Sequence, residues 1–386
     1  MAKNTVTIVR ALEYDHRDVT VSFNNVAEKM FGKDPFLGIK DGWWRDPLSL
    51  MQVRIGPDKE VKVATGHLEI RGMKAKFNQA GSIIETFAPK EETDKVEKFL
   101  AEVEKDVKLN SIYKGKAVTS SGGFMDLSGI NQRQLIYNDR ILSELNDNLW
   151  VMIEKSKDCR NAGFRLQRKV LFEGKFGTGK TLSLLLTAKK GIDNGFTFLY
   201  LEPTTAAVSE AIPGILNFAR LYSPAIVGIE DFDREQRAGN HFSVGRLMAA
   251  IDGALSKNND IIIVMTTNYK DKIVGGLKRP GRIDKSINFN TFEPNDIAKL
   301  LKLVIPDHFL DPNINWGKVG NAAAHFTPAF INKGIAEGST LAAISRAKSG
   351  QMPVVTEEIL LSVAEGLQEQ HKACEADEQV GFGSTR

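Results

Sequence analysis

Apolar and polar positions alternate over residues 1 to about 90, at Val19, Val21 and Phe23, at Val61 and Val63, and at Leu68 and Ile70. A period of two puts successive side chains on opposite faces, so this part reads as half-buried β-strands separated by glycine-rich turns. The period changes at 93–107, where Val96, Phe99, Leu100 and Val103 share one face of a helix that reads as the exit from the N-terminal part. A second helical stripe, at about 134–155, carries Leu135, Ile141, Leu142, Leu145, Leu149 and Ile153. From 168 onward, short apolar runs at 170–173, 196–201, 226–230, 261–266 and 287–289 alternate with helical stretches. Continuous apolar runs of strand length, separated by helices, predict a parallel sheet covered on both faces. Past Pro294 helical patterns take over, at 296–304, 328–336, 340–347 and 357–368, and the polar tail from about His371 reads as disordered.

The run 170–173 leads into Gly174-Lys-Phe-Gly-Thr-Gly-Lys-Thr181, which fits G-x-x-x-x-G-K-[ST]. A glycine-rich turn between a strand and a helix aims backbone N–H groups and the positive helix end at an anion. Gly174, Gly177, Thr178 and Gly179 form the turn. Lys180 adds a mobile charge for the outer phosphates, and the Thr181 hydroxyl suits Mg²⁺. The chain is expected to bind a nucleoside triphosphate, with the phosphates at the carboxyl ends of the strands.

Other strand ends supply candidates for chemistry. The run 226–230 ends in Glu230-Asp231-Phe-Asp233; in a Mg-nucleotide site one carboxylate orients the metal and its waters, and a second orients or deprotonates the attacking water. Glu230 and Asp231 are placed for those two jobs. Asn268, just past the run 261–266, is placed to touch the γ-phosphate and the attacking water. Arg279-Pro-Gly-Arg282 follows in a stiff turn, from which a guanidinium is able to reach a transferred phosphoryl group, often that of a neighbouring molecule.

Composition removes several classes. Of the 386 residues, 42% are hydrophobic and 26% charged, as in an ordinary globular protein. A net charge of +3 points to neither nucleic acid nor anionic membrane. No apolar run reaches membrane-spanning length, and the N-terminus lacks a signal-peptide core. Two cysteines and six scattered histidines make no disulfide framework and no metal-ligand spacing, which fits a reducing, cytoplasmic compartment. The paired Trp43-Trp44 reads as packing against the next domain more readily than as a binding surface.

Over roughly 125–370 these motifs resemble the AAA+ ATPases, specifically the AAA clade with a second region of homology. Phe172-Glu-Gly-Lys-Phe-Gly-Thr-Gly-Lys-Thr181 is similar to the Walker A segment, and Ser223-Pro-Ala-Ile-Val-Gly-Ile-Glu-Asp-Phe-Asp233 to Walker B. Leu247-Met-Ala-Ala-Ile-Asp-Gly253 is similar to the family's L-L-x-x-L-D-G helix, Met265-Thr-Thr-Asn268 to sensor 1, and Lys278-Arg-Pro-Gly-Arg-Ile-Asp284 to the arginine-finger region. The resemblance implies ATP and Mg²⁺ as ligands, with Lys180 on the β/γ-phosphates, Thr181 and Glu230 in the Mg²⁺ shell, Asp231 orienting water and Asn268 sensing the γ-phosphate. It also implies that Arg279 and Arg282 act on the adjacent subunit's nucleotide within a ring, usually a hexamer.

Three departures qualify the resemblance. Most members read Asp-Glu where this chain reads Glu230-Asp231; the inverted order occurs in the branch containing the mitochondrial Rieske-protein translocase, whose helical-subdomain motif His325-Phe-Thr-Pro-Ala329 also resembles. A swap moves each carboxylate by about 1.5 Å, and misplacements of about 1 Å can cost ~10²-fold, so slow hydrolysis is compatible with the motif. The segment Glu202-Pro-Thr-Thr-Ala-Ala-Val-Ser-Glu-Ala-Ile-Pro-Gly214 has no aromatic residue where many unfoldases carry an aromatic pore loop. That branch's membrane anchor has no counterpart here.

The expected fold class is therefore α/β: a P-loop parallel sheet covered by helices plus a C-terminal helical lid, preceded by a small β-rich N-terminal domain. The expected division is 1–90 for the N-terminal domain (target recognition or assembly), 91–125 for a helix and linker, 126–292 for the nucleotide-binding subdomain, 293–370 for the lid and 371–386 for the tail. The leading function is a ring-forming ATPase that remodels or disassembles a protein partner gripped by the N-terminal domain, as substrate or adaptor. A nucleotide-switched assembly protein with incidental hydrolysis is the first alternative and a DNA-associated ATPase the second, the latter disfavoured by charge and by the lack of a DNA-binding motif. No H-E-x-x-H follows the ATPase region, which argues against a protease-fused member.

Overall fold

The computed structural model describes residues 4–41, 44–131, 136–202, 208–231, 251, 253, 259–268, 282–290 and 292–373. The N-terminal part runs β1 (Thr5–Ala11), α1 (His16–Phe31), β2 (Phe36–Gly38), β3 (Lys40–Asp41), β4 (Trp44–Arg45), β5 (Ser49–Gly56), β6 (Lys59–Ile70), β7 (Lys76–Ala80), β8 (Ile83–Pro89) and α2 (Thr93–Asn110). An antiparallel sheet of order β1-β8-β7-β6-β2, with β5 also paired to β6, carries both helices; β3 and β4 form a separate ribbon.

Val19, Val21 and Phe23, expected on a strand, lie instead in α1. Val19, Phe23 and Val26 also obey the helical i, i+4, i+7 spacing and pack with Phe99, Leu100, Leu68 and Phe77 in the N-terminal core. Val21, on another side of the helix, packs with Tyr113, Val118 and Leu199 in a core shared with the following domain. A helix buried on two sides keeps only a narrow polar stripe, here Asn25, Glu28 and Lys29, so over its first turns its sequence imitates a strand. Its ends are nonetheless marked: the Asp15 side chain accepts from the Arg17 N–H, and Gly32 closes the helix at φ 90°. Helix α2, read as an exit from this domain, packs its Val96, Phe99, Leu100 and Val103 face into the same core.

The junction between the two parts contains a buried acid. Asp18 on α1 is fully buried; its carboxylate accepts from Ser111 Oγ at 2.7 Å and the Ile112 N–H at 2.9 Å, just past the end of α2. Desolvation outweighs these bonds and that of Tyr222, and with a small push from Asp15 it raises the acid to about 6. A carboxyl whose folded pKa lies above its unfolded one binds more protons in the folded state, so its stability contribution falls as pH rises between those values. From about pH 4 to pH 6 this fall amounts to about 3 kcal/mol and is flat above. Urea midpoints measured from pH 4 to pH 8 are expected to show that decline in the wild type and its absence in Asp18→Asn.

The second part runs β9 (Ala117–Thr119), α3 (Asp139–Leu145), a π-type stretch (Asn146–Trp150), α4 (Val151–Glu154), α5 (Ser156–Asn161), β10 (Arg168–Glu173), α6 (Lys180–Asp193), β11 (Thr197–Leu201), α7 (Val208–Leu221), β12 (Ala225–Ile229), β13 (Ile261–Thr267) and β14 (Lys285–Asn288). These strands make one parallel sheet of order β14-β10-β13-β12-β11-β9. All five residues of β12 and all seven of β13 are buried, as a sheet covered on both faces requires. Phe172, Phe198, Ile226 and Val264 face one core with Leu184 of α6; Leu171, Leu199, Val227 and Ile263 face the other with Ile212 and Leu216 of α7. The stripe expected at 134–155 buries Ile141, Leu145, Leu149 and Ile153, and its helix begins at Asp139 after the Asn138 cap; Leu135 lies outside the described residues.

The helical lid comprises α8 (Pro294–Val304), α9 (Trp316–Ala323), a π-type stretch (Phe330–Ala336), α10 (Glu337–Arg346) and α11 (Glu357–Gly366), built around Phe326, Ile331, Leu301 and Leu360. Of residues 371–386, read as a disordered tail, 371–373 are instead helical, with His371 buried against Phe326 and Phe330, and 374–386 lie outside the described residues. Among the described residues no helix is long and apolar enough to cross a membrane.

Candidate active site

The loop after β10 is shaped by two glycines whose environment leaves no room for a side chain. Gly174, at φ 157°, sits where a Cβ would lie 2.2 Å from the Phe289 carbonyl oxygen; Gly177, at φ 73°, where a Cβ would lie 2.8 Å from the Ala329 Cβ. The chain then turns through Gly179 and enters α6 at Lys180, so the helix begins inside the motif. The buried Lys180 crosses the loop, its Nζ donating to the carbonyls of Gly174 at 2.6 Å and Lys175 at 2.7 Å. Thr178 Oγ1 donates to the Lys175 carbonyl and tightens the same turn.

The parallel sheet brings the other candidates here. β13 lies between β10 and β12, so Asn268 and the acid pair emerge beside the loop. Asn268 Nδ2 donates to Asp231 Oδ1 at 2.7 Å, and the Asp231 N–H donates to Thr266 Oγ1 at 3.0 Å. Asp231 takes a positive φ of 43°, a conformation that aspartate tolerates better than most residues. A cavity of about 380 Å³ is lined by Gly177, Thr178, Gly179, Lys180, Thr181, Asp231, Thr266 and Asn268. Ile136, Ile141, Phe292 and Leu300 give the same cavity an apolar wall. A nucleotide needs both surfaces, one for phosphate and one for a base.

Glu230 is placed differently. It does not line the cavity; its Oε2 accepts from the Tyr200 hydroxyl at 2.6 Å, and its Oε1 is buried and has no hydrogen-bond partner among the described residues. A buried carboxylate oxygen with no donor is the kind of group that a cation or its bound water satisfies. With the Thr181 hydroxyl on the cavity wall, the oxygen donors present fit Mg²⁺, and the loop fits a triphosphate.

Arg282 is half-buried just ahead of β14 and does not line this cavity. Arg279 lies outside the described residues, as do Asp233, 203–207 of the segment read as lacking a pore aromatic, and most of the Leu247–Gly253 motif.

Three contributions escape sequence reasoning. The lid closes on the loop: the Ala329 N–H donates to the Gly177 carbonyl at 3.0 Å, and Pro328, Asn332 and Lys333 join the cavity wall. In the sequence the His325–Ala329 motif stands out only by resemblance. Tyr137, also on the wall, hydrogen-bonds Ser183 of α6 at 2.8 Å. Tyr200 is the one polar-tipped residue in the interior of the apolar β11, a signal available in the sequence but uninformative without its partner.

Comparison with known proteins agrees with this site. The family model of the ATPase family associated with various cellular activities (AAA) matches residues 170–291, from β10 to just past β14. The chain is similar to the ATP-dependent zinc metalloprotease FtsH of Metamycoplasma arthritidis, 25% identical over 262 residues covering 62% of this chain and 35% of that protein. It is also similar to the protein of that name from Acholeplasma laidlawii, 27% identical over 252 residues covering 61% and 38%. The chain thus spans little more than a third of the length of these relatives. A phosphate loop braced by its own lysine, an acid and an amide on neighbouring strand ends, and a matching family signature converge: residues 170–291 are an AAA ATPase domain, the class of domain that hydrolyses ATP with Mg²⁺.

Proposed function

We propose that this chain is a ring-forming AAA ATPase that couples ATP binding and hydrolysis to remodelling or disassembly of a protein partner. The observation that carries it is the shared cavity of loop, Asp231, Asn268 and lid, since a lid residue bonded to the phosphate loop converts nucleotide state into lid position. Lys180 would bind the β- and γ-phosphates, and Thr181 and Glu230 would hold the metal shell. Mg²⁺ bound there would supply charge neutralisation on the phosphate oxygens. Asp231, one oxygen fixed by Asn268, has its carboxylate in the cavity to orient water and take its proton. Arg279 and Arg282 would complete a neighbour's site, which suits Arg282's place away from its own cavity.

The N-terminal domain is the proposed target-gripping part. The relatives' names add proteolysis, but the sequence contains no H-E-x-x-H, and we assign this chain no peptidase chemistry. The reversed acids and the His325–Ala329 motif keep the translocase branch as the finer affinity, and cysteine usage supports a cytoplasmic setting. A nucleotide-switched assembly with slow turnover is the second reading, favoured by Glu230's position off the cavity wall.

Steady-state ATPase rate against protein concentration, for wild type and Arg279→Ala, separates these. A rate per subunit that climbs with concentration and collapses at least tenfold in the variant is the expected result. Tight ATP binding with negligible turnover at every concentration would favour the switch.

A further inference from the structure

The two adjacent acids are held by different elements. Asp231 is fixed from β13, by Asn268 and Thr266; Glu230 is fixed from β11, by Tyr200. Tyr200 pairs in register with Gly228, two residues before Glu230, so the two side chains leave adjacent strands on the same face of the sheet. That face is the one covered by α6, with Phe198, Ile226 and Val264, and α6 is the helix whose first turn carries Lys180 and Thr181. Glycine at 228 leaves this face open at the Tyr200 position. That room is taken by the Phe198 ring and Leu184, which a Cβ at 228 would meet at 2.9 Å and 3.1 Å.

Resting on the reading of Glu230 as a metal-shell acid, we propose that Tyr200 is the positioning residue that adapts this reversed acid pair to Mg²⁺-nucleotide. Glutamate at 230 has one more methylene and one more rotatable bond than the aspartate usual at this place. The phenol takes up that freedom by holding Oε2 at 2.6 Å, and leaves Oε1, buried and with no partner among the described residues, as the oxygen for the metal shell. Tyr200 does not line the cavity, so its action runs through Glu230 and not through the nucleotide.

The test is calorimetric titration of ATP with and without Mg²⁺ on wild type, Tyr200→Phe, Glu230→Gln and the double variant, beside turnover and melting temperature. Tyr200→Phe is expected to bind metal-free ATP as the wild type does, to lose about tenfold of the affinity gained from Mg²⁺, and to drop kcat by about tenfold. In the Glu230→Gln background, adding Tyr200→Phe is expected to change neither quantity further, which a phenol that only packs would not produce. An unchanged Mg²⁺ gain in Tyr200→Phe, or full additivity in the double variant, overturns the proposal while K180A-sensitive hydrolysis by the wild type leaves the ATPase reading intact. A wild type that neither gains affinity from Mg²⁺ nor hydrolyses ATP would overturn both. Should Tyr200→Phe melt early, the titration is repeated at a temperature below its transition, where the folded variant is still expected to lose the Mg²⁺ gain. A wild-type gain there would overturn the proposal.

Discussion

Lys180→Ala is expected to lower ATP turnover at least 100-fold and to weaken ATP binding. The ammonium is the buried cation of the loop, and in a site that excludes water a charge aimed at phosphate is worth about 10²–10³ in rate. At 100-fold the loss is about 2.7 kcal/mol of transition-state stabilisation. The structure adds a second reason. Nζ also bridges the carbonyls of Gly174 and Lys175, so removing it leaves two loop acceptors to find other donors. Lys180→Arg is expected to fail nearly as badly, because a planar fork does not fit a slot sized for one ammonium. Isothermal titration with ATP and a steady-state phosphate-release assay measure both effects; turnover within threefold of the wild type in Lys180→Ala would remove this loop from the chemistry.

Phe23→Ala is expected to destabilise the N-terminal part by about 3–5 kcal/mol. Phe23 is fully buried, and its ring sits 5.2 Å from Phe99 and 5.6 Å from Phe77 in edge-to-face contacts, with Phe36 stacked at 6.1 Å. Phe77 and Phe99 themselves meet at 5.6 Å, so truncation opens a cavity among rings that hold one another in place. A chain with several cores unfolds in more than one step, so the loss should appear as an earlier first transition in urea. Hydrogen exchange should localise it to α1, α2 and the first sheet. Phe23→Leu, which keeps most of the volume, is expected to cost less than half as much.

The same core shows where local reading fails. At Val19, Val21 and Phe23 the period of two is an accident of a helix pressed between two hydrophobic cores. The cap at Asp15 and the stop at Gly32 were the better evidence, being local and independent of what the helix packs against. The later strands were legible for the opposite reason. A parallel strand buried on both faces has to be apolar throughout, and the expected runs fall within one or two residues of β10 to β14. In the lid, the helix at Trp316–Ala323 escapes the reading because it is short and carries two glycines, Gly317 and Gly320, which sequence reasoning takes as breakers.

The sequence by itself determined the glycine-rich loop, the acid pair and the amide at the end of the next strand, and the α/β class, because each is a contiguous pattern whose physical demand is local. Glycines must sit where the backbone turns, apolar runs where strands are buried on both faces, and a carboxylate at a strand end where phosphates gather. Only the tertiary structure decided that α1 is a helix, that Ala329 of the lid bonds Gly177 of the loop, that Asp231 and not Glu230 faces the cavity, and that Tyr200 holds Glu230. The last three relations join residues 30 to about 150 positions apart, where spacing along the chain carries no information; sheet register sets the distances at Asp231, Glu230 and Tyr200, and the docking of the lid sets that at Gly177.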